Sequence, residues 1–413
     1  MSSGDPLGDG GFQAFFADLA RLFGGPQGDP WQAASQLAVQ LANEGRPEPN
    51  VDPLARVELE SLVRVAELQV AQRTGLGGAS GERVEPVTRG EWSRRSVAAY
   101  KPLLERFGEA LGRAQREFGA PDPSDPLAMM LGPLMTFMGP MLVSVSGASM
   151  IGHLGQDALG QYDLPVPRPG GEILVVPSNI DRRAAEWDVS PTDLRLWVLV
   201  QQITTHRTLK IPHVGRRLES LLIDFAGSFR PNPEALEAQL GHITSLEDLG
   251  KLGGLGGMGG MLEDPDALLS ALRSPAQELL VPQLEALVAA VLGYVDLLVD
   301  ETCSSLIPAH ASIRQRMRDR TGRQVPADRF MERLLGLEVT IGTLDRGRAF
   351  VDGVVTRAGQ AGLDRLWADE LDLPTAAEVD APGLWLARIG VDAEAGDGVT
   401  FEIPDDLSGL DDL

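Results

Sequence analysis

Between Ser190 and Arg207 the chain holds a helix with almost no side fit for water. Ser190-Pro191-Thr192-Asp193 is a helix start: the Ser can cap free N–H groups, the Pro suits the first helical position, and the Asp lies near the positive end of the dipole. Leu194, Leu196, Trp197, Val198, Leu199, Val200 and Ile203 follow. A helix over about 191–210 is therefore expected near the centre of the fold, buried on most sides rather than amphipathic. Gln201 and Thr205 share one face of it, one turn apart. Such a pair needs hydrogen-bond partners, because a buried polar group left unpaired costs about 1–3 kcal/mol. It marks either a polar pocket or a satisfied core network.

The rest of the chain supplies what encloses this helix. At 413 residues and 43% hydrophobic content a sizeable core is available. Residues 1–30, rich in Gly, Asp and Pro, read as a flexible segment with a short amphipathic helix from Phe12 to Phe23. Its polar face is not basic, so packing is favoured over membrane anchoring. Helical patterns run from Trp31 to Leu41, Asp52 to Thr74 and Thr88 to Phe118, the last opening on Thr88-Arg89-Gly90-Glu91, a capping box in outline. The region 31–120 is thus expected to be all helix, with 121–388 as the second region.

Within 121–388, the run from Leu127 to Ile151 is long enough for a membrane span, but Gly132-Pro133, Gly139-Pro140 and Gly147 interrupt it. It reads as a packed core segment, and no integral span is expected. Glu172 to Pro177 is the clearest strand. Residues 249–261 form a Gly/Met-rich loop that suits a lid or a linker, and 389–413, acidic and without a basic residue, read as a disordered tail. The fold class is mainly α with a small β element.

The net charge of −23 disfavours nucleic acid and anionic lipid as partners. The one basic cluster, Arg314, Arg316, Arg318, Arg320 and Arg323 around Asp319, reads as a solvated face or as an intramolecular partner for acidic residues. The single Cys excludes an internal disulfide framework, and Met1 to Pro6 lack the basic start and apolar run of a secretory signal, so a cytoplasmic location is expected.

Catalytic constellations are scarce. The five His are His153, His206, His213, His242 and His310, and no two stand at i, i+4. Pro212, between His206 and His213, is placed to end or kink the helix. Gly78-Ala79-Ser80-Gly81 is one residue short of G-x-S-x-G, and Ser144 to Ser149 lack the flanking Gly pattern. Cys303, among apolar neighbours with His310 nearby, reads as a small buried hydrophobe.

Several segments carry a resemblance. Gly160-Gln161-Tyr162-Asp163-Leu164-Pro165, Val175-Val176-Pro177-Ser178-Asn179-Ile180-Asp181, Leu194 to Val198 and Ile211-Pro212-His213-Val214 resemble, in order and spacing, the zincin-like metallopeptidases of actinobacteria, a family of candidate hydrolases. Leu334 to Glu338, Arg346 to Val351, Leu366-Trp367 and Leu373-Pro374-Thr375 are similar to its carboxy-terminal half, so the resemblance covers most of residues 90 to 390. It implies a zincin-like fold with zinc as the family's cofactor. In that family the helix carries H-E-x-x-H: two His one turn apart hold the metal, and the Glu acts as general base.

Matched residue by residue, the motif is degenerate. Gln201 replaces the first ligand, Gln202 the base and Thr205 the second ligand, with His206 trailing. Sliding the register by one brings His206 into a ligand position but makes Gln202 the other ligand and Ile203 the base. The family's later acidic ligand, in an acidic-Gly pattern, would fall at Leu292. Catalytic zinc needs about three protein ligands and an open position, and Gln cannot accept the proton of an attacking water.

The expectation is a catalytically inactive member, a pseudoenzyme without zinc, that binds or scaffolds an unknown protein or peptide partner. The alternative is an active hydrolase whose non-standard site draws on His206, His213, Asp296, Asp300 or Glu301.

Overall fold

The computed structural model describes residues 29–76, 82–118, 143–230, 274–323, 331–337 and 339–391. The expected flexible segment before residue 29, the 249–261 loop, the tail from 392, most of the 127–151 run, Ser80 and His242 lie outside the described residues. So does Glu338, the last residue of one resembling segment.

Two capped helices open the described residues. In α1 (Pro30–Ala42) the Asp29 side chain accepts from the N–H of Trp31, and in α2 (Pro53–Thr74) Asp52 does the same for Leu54 at 2.9 Å. Helix α2 stops at Gly75, whose φ of 63° is the left-handed conformation that glycine adopts without a steric penalty. The expected third helix, α3 (Arg89–Phe118), begins where Thr88 accepts from the N–H of Glu91.

The region expected to be all helix also contains a strand. β1 (Arg83–Pro86) pairs in parallel with β2 (Glu172–Val175), matching Arg83 to Glu172 and Pro86 to Val175. Arg83-Val84-Glu85-Pro86 alternates polar and apolar at the minimum length for a strand, and Pro86 speaks against one, so the sequence signal was weak. The two-stranded sheet is held at its rim by Arg95 of α3, which reaches Glu85 of β1 at 2.8 Å and Glu172 of β2 at 2.9 Å.

A helix over 143–157 (α4) precedes β2, and α5 (Pro177–Trp187), α6 (Pro191–Leu209) and α7 (Pro212–Gly227) follow it. Helix α6 is the predicted central helix. Ser190 caps it, Pro191 occupies its first turn, and it packs against α2, α5, α7 and β2. It also packs against α8 (Pro275–Leu306), which passes α7 as well. Pro212 does not kink α6; it opens α7 after a break at Lys210 and Ile211.

The described residues close with α9 (His310–Gly322), α10 (Ile341–Arg365), α11 (Ala376–Asp380) and α12 (Pro382–Arg388). The basic cluster on α9 serves inside the molecule: Arg314 pairs with Asp296, Arg318 with Asp345 and Arg320 with Asp163.

Helix α8 is long and apolar enough by length and composition to cross a membrane, and about half of its apolar window, 56%, is buried in this fold. Its closest partner is α10. At their crossing a Cβ on Gly347 would lie 1.9 Å from the carbonyl oxygen of Ala289, and one on Gly293 would lie 2.1 Å from the Gly347 backbone. The helices meet backbone to backbone, which only glycine allows. Gly347→Ala should therefore destabilise the protein by about 2–3 kcal/mol through overpacking against rigid backbone. Urea denaturation checks this; an unchanged midpoint would show that the helices do not meet there.

Candidate functional site

Residues 201–206 lie on the second half of α6, and Gln202 and His206 among them face the turn at 159–163. Gln202 is fully buried, and its side-chain oxygen accepts the backbone N–H of Tyr162 at 2.7 Å. Gly160 presses on the same side chain; a Cβ there would lie 2.4 Å from Gln202 Cδ. One turn along α6, His206 Nδ1 meets the Tyr162 hydroxyl at 2.8 Å. The two rings are tilted, with centroids 5.8 Å apart.

The 159–163 turn is clamped from its other sides. Trp92 of α3 donates its indole N–H to the Gly160 carbonyl at 3.0 Å. The Asp163 carboxylate accepts the N–H groups of Leu159 at 2.9 Å and Gly160 at 3.1 Å, and it also pairs with Arg320 at 2.7 Å. Gln161 accepts the N–H of Leu174 in β2. The sequence marked this segment only as a matching string. Nothing in Gly160-Gln161-Tyr162-Asp163 reveals that its backbone is the partner of Gln202, because that pairing joins residues forty apart.

The face that meets the turn is Gln202 with His206, one residue on from the Gln201 and Thr205 pair. Thr205 is buried and donates its hydroxyl to the carbonyl of Gln201 at 2.8 Å, the back-bond to i−4 available to a threonine in a helix. Gln201 is half-buried. Three buried polar atoms remain unpaired: Gln202 Nε2, His206 Nε2 and Thr204 Oγ1. The motif positions therefore form a largely filled core whose hydrogen bonding is incomplete.

Burial, reinforced by the cations of Lys210 and Arg207, pushes His206 down to about 4, so its imidazole is neutral at pH 7. Burial also raises the Tyr162 phenol, which keeps its proton. A neutral His beside a protonated Tyr makes a hydrogen bond in which neither ring carries a charge.

The remaining candidates lie elsewhere. Leu292 of α8 is half-buried and packs against the apolar core. Asp296 and Asp300 are brought together, but with cations: Arg314 stands 3.3 and 3.1 Å from them, Arg348 2.8 and 3.3 Å, and His310 2.8 Å from Asp300. Glu301 faces Arg73 at 3.6 Å. His213 is in the first turn of α7, beyond the break that ends α6, with a buried Nε2 that has no partner. Cys303 is fully buried, and burial raises its thiol to about 12, which leaves it without a thiolate.

The residues present do not fit a catalytic zinc. Among the described residues no three His, Cys, Asp or Glu side chains form a group able to hold a metal ion. At the motif itself the donors are two carboxamides and a hydroxyl, with the Gln202 oxygen and the Thr205 hydroxyl already committed to backbone groups.

On the far side of the clamped turn lies a cavity of about 250 Å³, bordered by Trp92, Asp163, Trp187, Arg316, Asp319 and Arg323. Gln201, Gln202 and Thr205 do not line it.

The depressed His206 pKa makes a prediction about stability. The folded state binds a proton at this ring less readily than the unfolded chain does, so the contribution is fully present above the unfolded value near 6.5 and is lost as pH falls towards 4. A shift of this size corresponds to on the order of 3 kcal/mol. His206→Gln should flatten the fall in melting temperature between pH 6.5 and pH 4, followed by calorimetry. An identical slope in both proteins would contradict the assignment.

Comparison with known proteins places this architecture. A crystal structure of a candidate hydrolase with a novel fold, from Chloroflexus aurantiacus, matches with a TM-score of 0.62 at 21% identity, covering 88% of this chain and 99% of that one. At that identity the match shows the fold. No curated protein matches. The family model for zincin-like metallopeptidases matches residues 30–386, beginning well before the 90–390 span over which the resemblance was read. With most of its length matched, the chain belongs to the zincin-like metallopeptidase family.

Proposed function

We propose that this protein is a zincin-like family member that does not perform zinc-dependent hydrolysis and that keeps the fold as a binding or scaffold protein. The observation that carries the reading is Gln202. At the position of the family's general base stands a carboxamide that cannot take a proton, buried without access to water and used to accept the Tyr162 N–H. The neighbouring cavity supports the binding role: two tryptophans offer apolar walls, and groups of both charges, among them Asp163, Asp319, Arg316 and Arg323, line it.

The rival reading, a hydrolase built on Asp296, Asp300 and Glu301 with His206 and His213, requires those groups to converge on one pocket. Their contacts point apart: the aspartates go to Arg314, Arg348 and His310, while His206 goes to Tyr162.

Two measurements test the proposal. Elemental analysis of the full chain, purified after growth with zinc, should find far less than one zinc per molecule, and peptide substrates should show no cleavage that a chelator abolishes. About one tightly held zinc per chain would sink the reading, since zinc sites built into a fold bind very tightly.

Gln202→Glu should cost roughly 3 kcal/mol at pH 7, because the second carboxylate oxygen finds no donor where Gln202 Nε2 has no partner. Burial raises the folded pKa of the new carboxyl, so the lost stability should return as pH falls towards the unfolded value of about 4.3. A variant as stable as the parent at pH 7 would mean that this position is open and able to hold a base.

A further inference from the structure

Three arginines among the described residues are buried, and two of them have carboxylates: Arg195 is held by Asp181 and Glu58, and Arg207 by Glu82. The third, Arg168, is 6% exposed and makes no ion pair among the described residues. Its guanidinium donates through Nη2 alone, to Ser96 Oγ at 3.1 Å and to the Tyr100 hydroxyl at 2.9 Å. Nε is buried without a partner, and Nη1 donates to no described residue. The group lies over the rings of Tyr100 and Trp92, 4.8 and 5.7 Å from their centroids. Two ring faces return only part of the hydration that a buried cation gives up.

The surroundings hold this charge in a fixed place. Trp92, Ser96 and Tyr100 recur every four residues, so they share one face of α3. Arg168 lies in Pro165-Val166-Pro167-Arg168-Pro169, where proline rings fix φ on both sides of it, and the Lys210 ammonium donates to its carbonyl at 2.9 Å. Pro169 and Gly170 are exposed, so the segment reaches solvent immediately after the buried arginine.

What converges here is a set of donors. The Ser96 and Tyr100 oxygens accept from Arg168, which leaves each O–H able to donate. Arg168 Nε and Nη1 have hydrogens to give, and half-buried Lys210 makes no ion pair among the described residues. Such a set is completed by an acceptor that carries negative charge, through charge-assisted hydrogen bonds. One guanidinium with two hydroxyls suits a single negative charge. A doubly charged phosphate calls for more cations, the more so in a chain whose net charge is −23.

We propose that Arg168, with Ser96 and Tyr100, binds the carboxylate group of a ligand. Recognition of a carboxylate deepens the binding role proposed above, and the two fail separately: zinc content judges the loss of hydrolysis, and anion titration judges Arg168.

With the full chain at pH 7 and constant ionic strength, replacing sodium chloride by sodium acetate or benzoate should raise the melting temperature with concentration, as a ligand of the folded state does. Inorganic phosphate should raise it less. A neutral tripeptide should act with a free carboxy-terminus and not when amidated; acting more strongly than acetate, it would make a peptide end the source of the carboxylate, and acting more weakly, a small acid. Arg168→Met should abolish the acetate effect, and Arg168→Lys should keep part of it. Tyr100→Phe, which keeps the ring and removes one donor, should weaken acetate binding at least about tenfold. Equal melting temperatures of the parent in acetate and chloride would overturn the proposal. So would an acetate effect that survives Arg168→Met or Tyr100→Phe undiminished, or a phosphate effect larger than that of every carboxylate.

Discussion

Helix α6 cannot face water, and the fold is organised by that constraint. From Leu194 to Leu209 every residue except Gln201 is buried. Such a helix is stable only when surrounded, and α2, α5, α7, α8 and the edge of β2 do the surrounding. The polar groups carried inward with it then dictate their own neighbours. Gln202 requires a donor and takes the Tyr162 N–H, and His206 requires a partner and takes the Tyr162 hydroxyl. The conformation of the 159–163 turn is in this sense written on α6.

The same requirement bears on chemistry. A metal site needs an open coordination position, and a general base needs a reacting water within reach. Gln202 has neither, because its oxygen already serves a peptide N–H and Gly160 is packed against its carboxamide. A side chain that satisfies backbone is no longer available to a substrate. The acidic residues of α8 show the equivalent effect in ionic form: Asp296 and Asp300 are each matched by Arg314 and Arg348, so their charge is spent on joining α8 to α9 and α10.

Much of the architecture was legible in the sequence. The Ser190-Pro191 start, the apolar run and the break before Pro212 gave α6 to within a residue, because local chemistry decides where a helix begins and ends. β1 was barely legible, since an alternation of only four residues that ends in Pro86 is a weak signal and the strand is completed by its pairing with Glu172 to Val175. At the candidate site the identities at 201, 202 and 205 were plain. Which face of α6 meets the turn was not, because Gln202 and Tyr162 are joined by long-range packing, and Gly160 matters only for the Cβ it lacks. The Gly293 and Gly347 crossing was illegible for the same reason.

Whether the motif could act in a shifted register is a question of helix rotation. Successive residues of an α-helix differ by about 100°, so moving His206 into the place of Thr205 requires α6 to turn by that amount about its axis. Contacts at both ends oppose it. Near the start, Arg195 is held by Asp181 at 2.7 Å and by Glu58. Near the end, Arg207 pairs with Glu82 at 3.1 Å, both side chains almost wholly buried, and it also donates to the carbonyls of Glu67 and Leu76. Rotation would strand that buried charge, a loss of about 3–5 kcal/mol, and would break the Gln202 and His206 bonds to the turn as well. The ion pairs that fix the helix also fix which residues it presents, and they present a carboxamide and a neutral imidazole to a tyrosine. The supports of α6 in this fold are its capping residue, the clamped turn and these buried pairs.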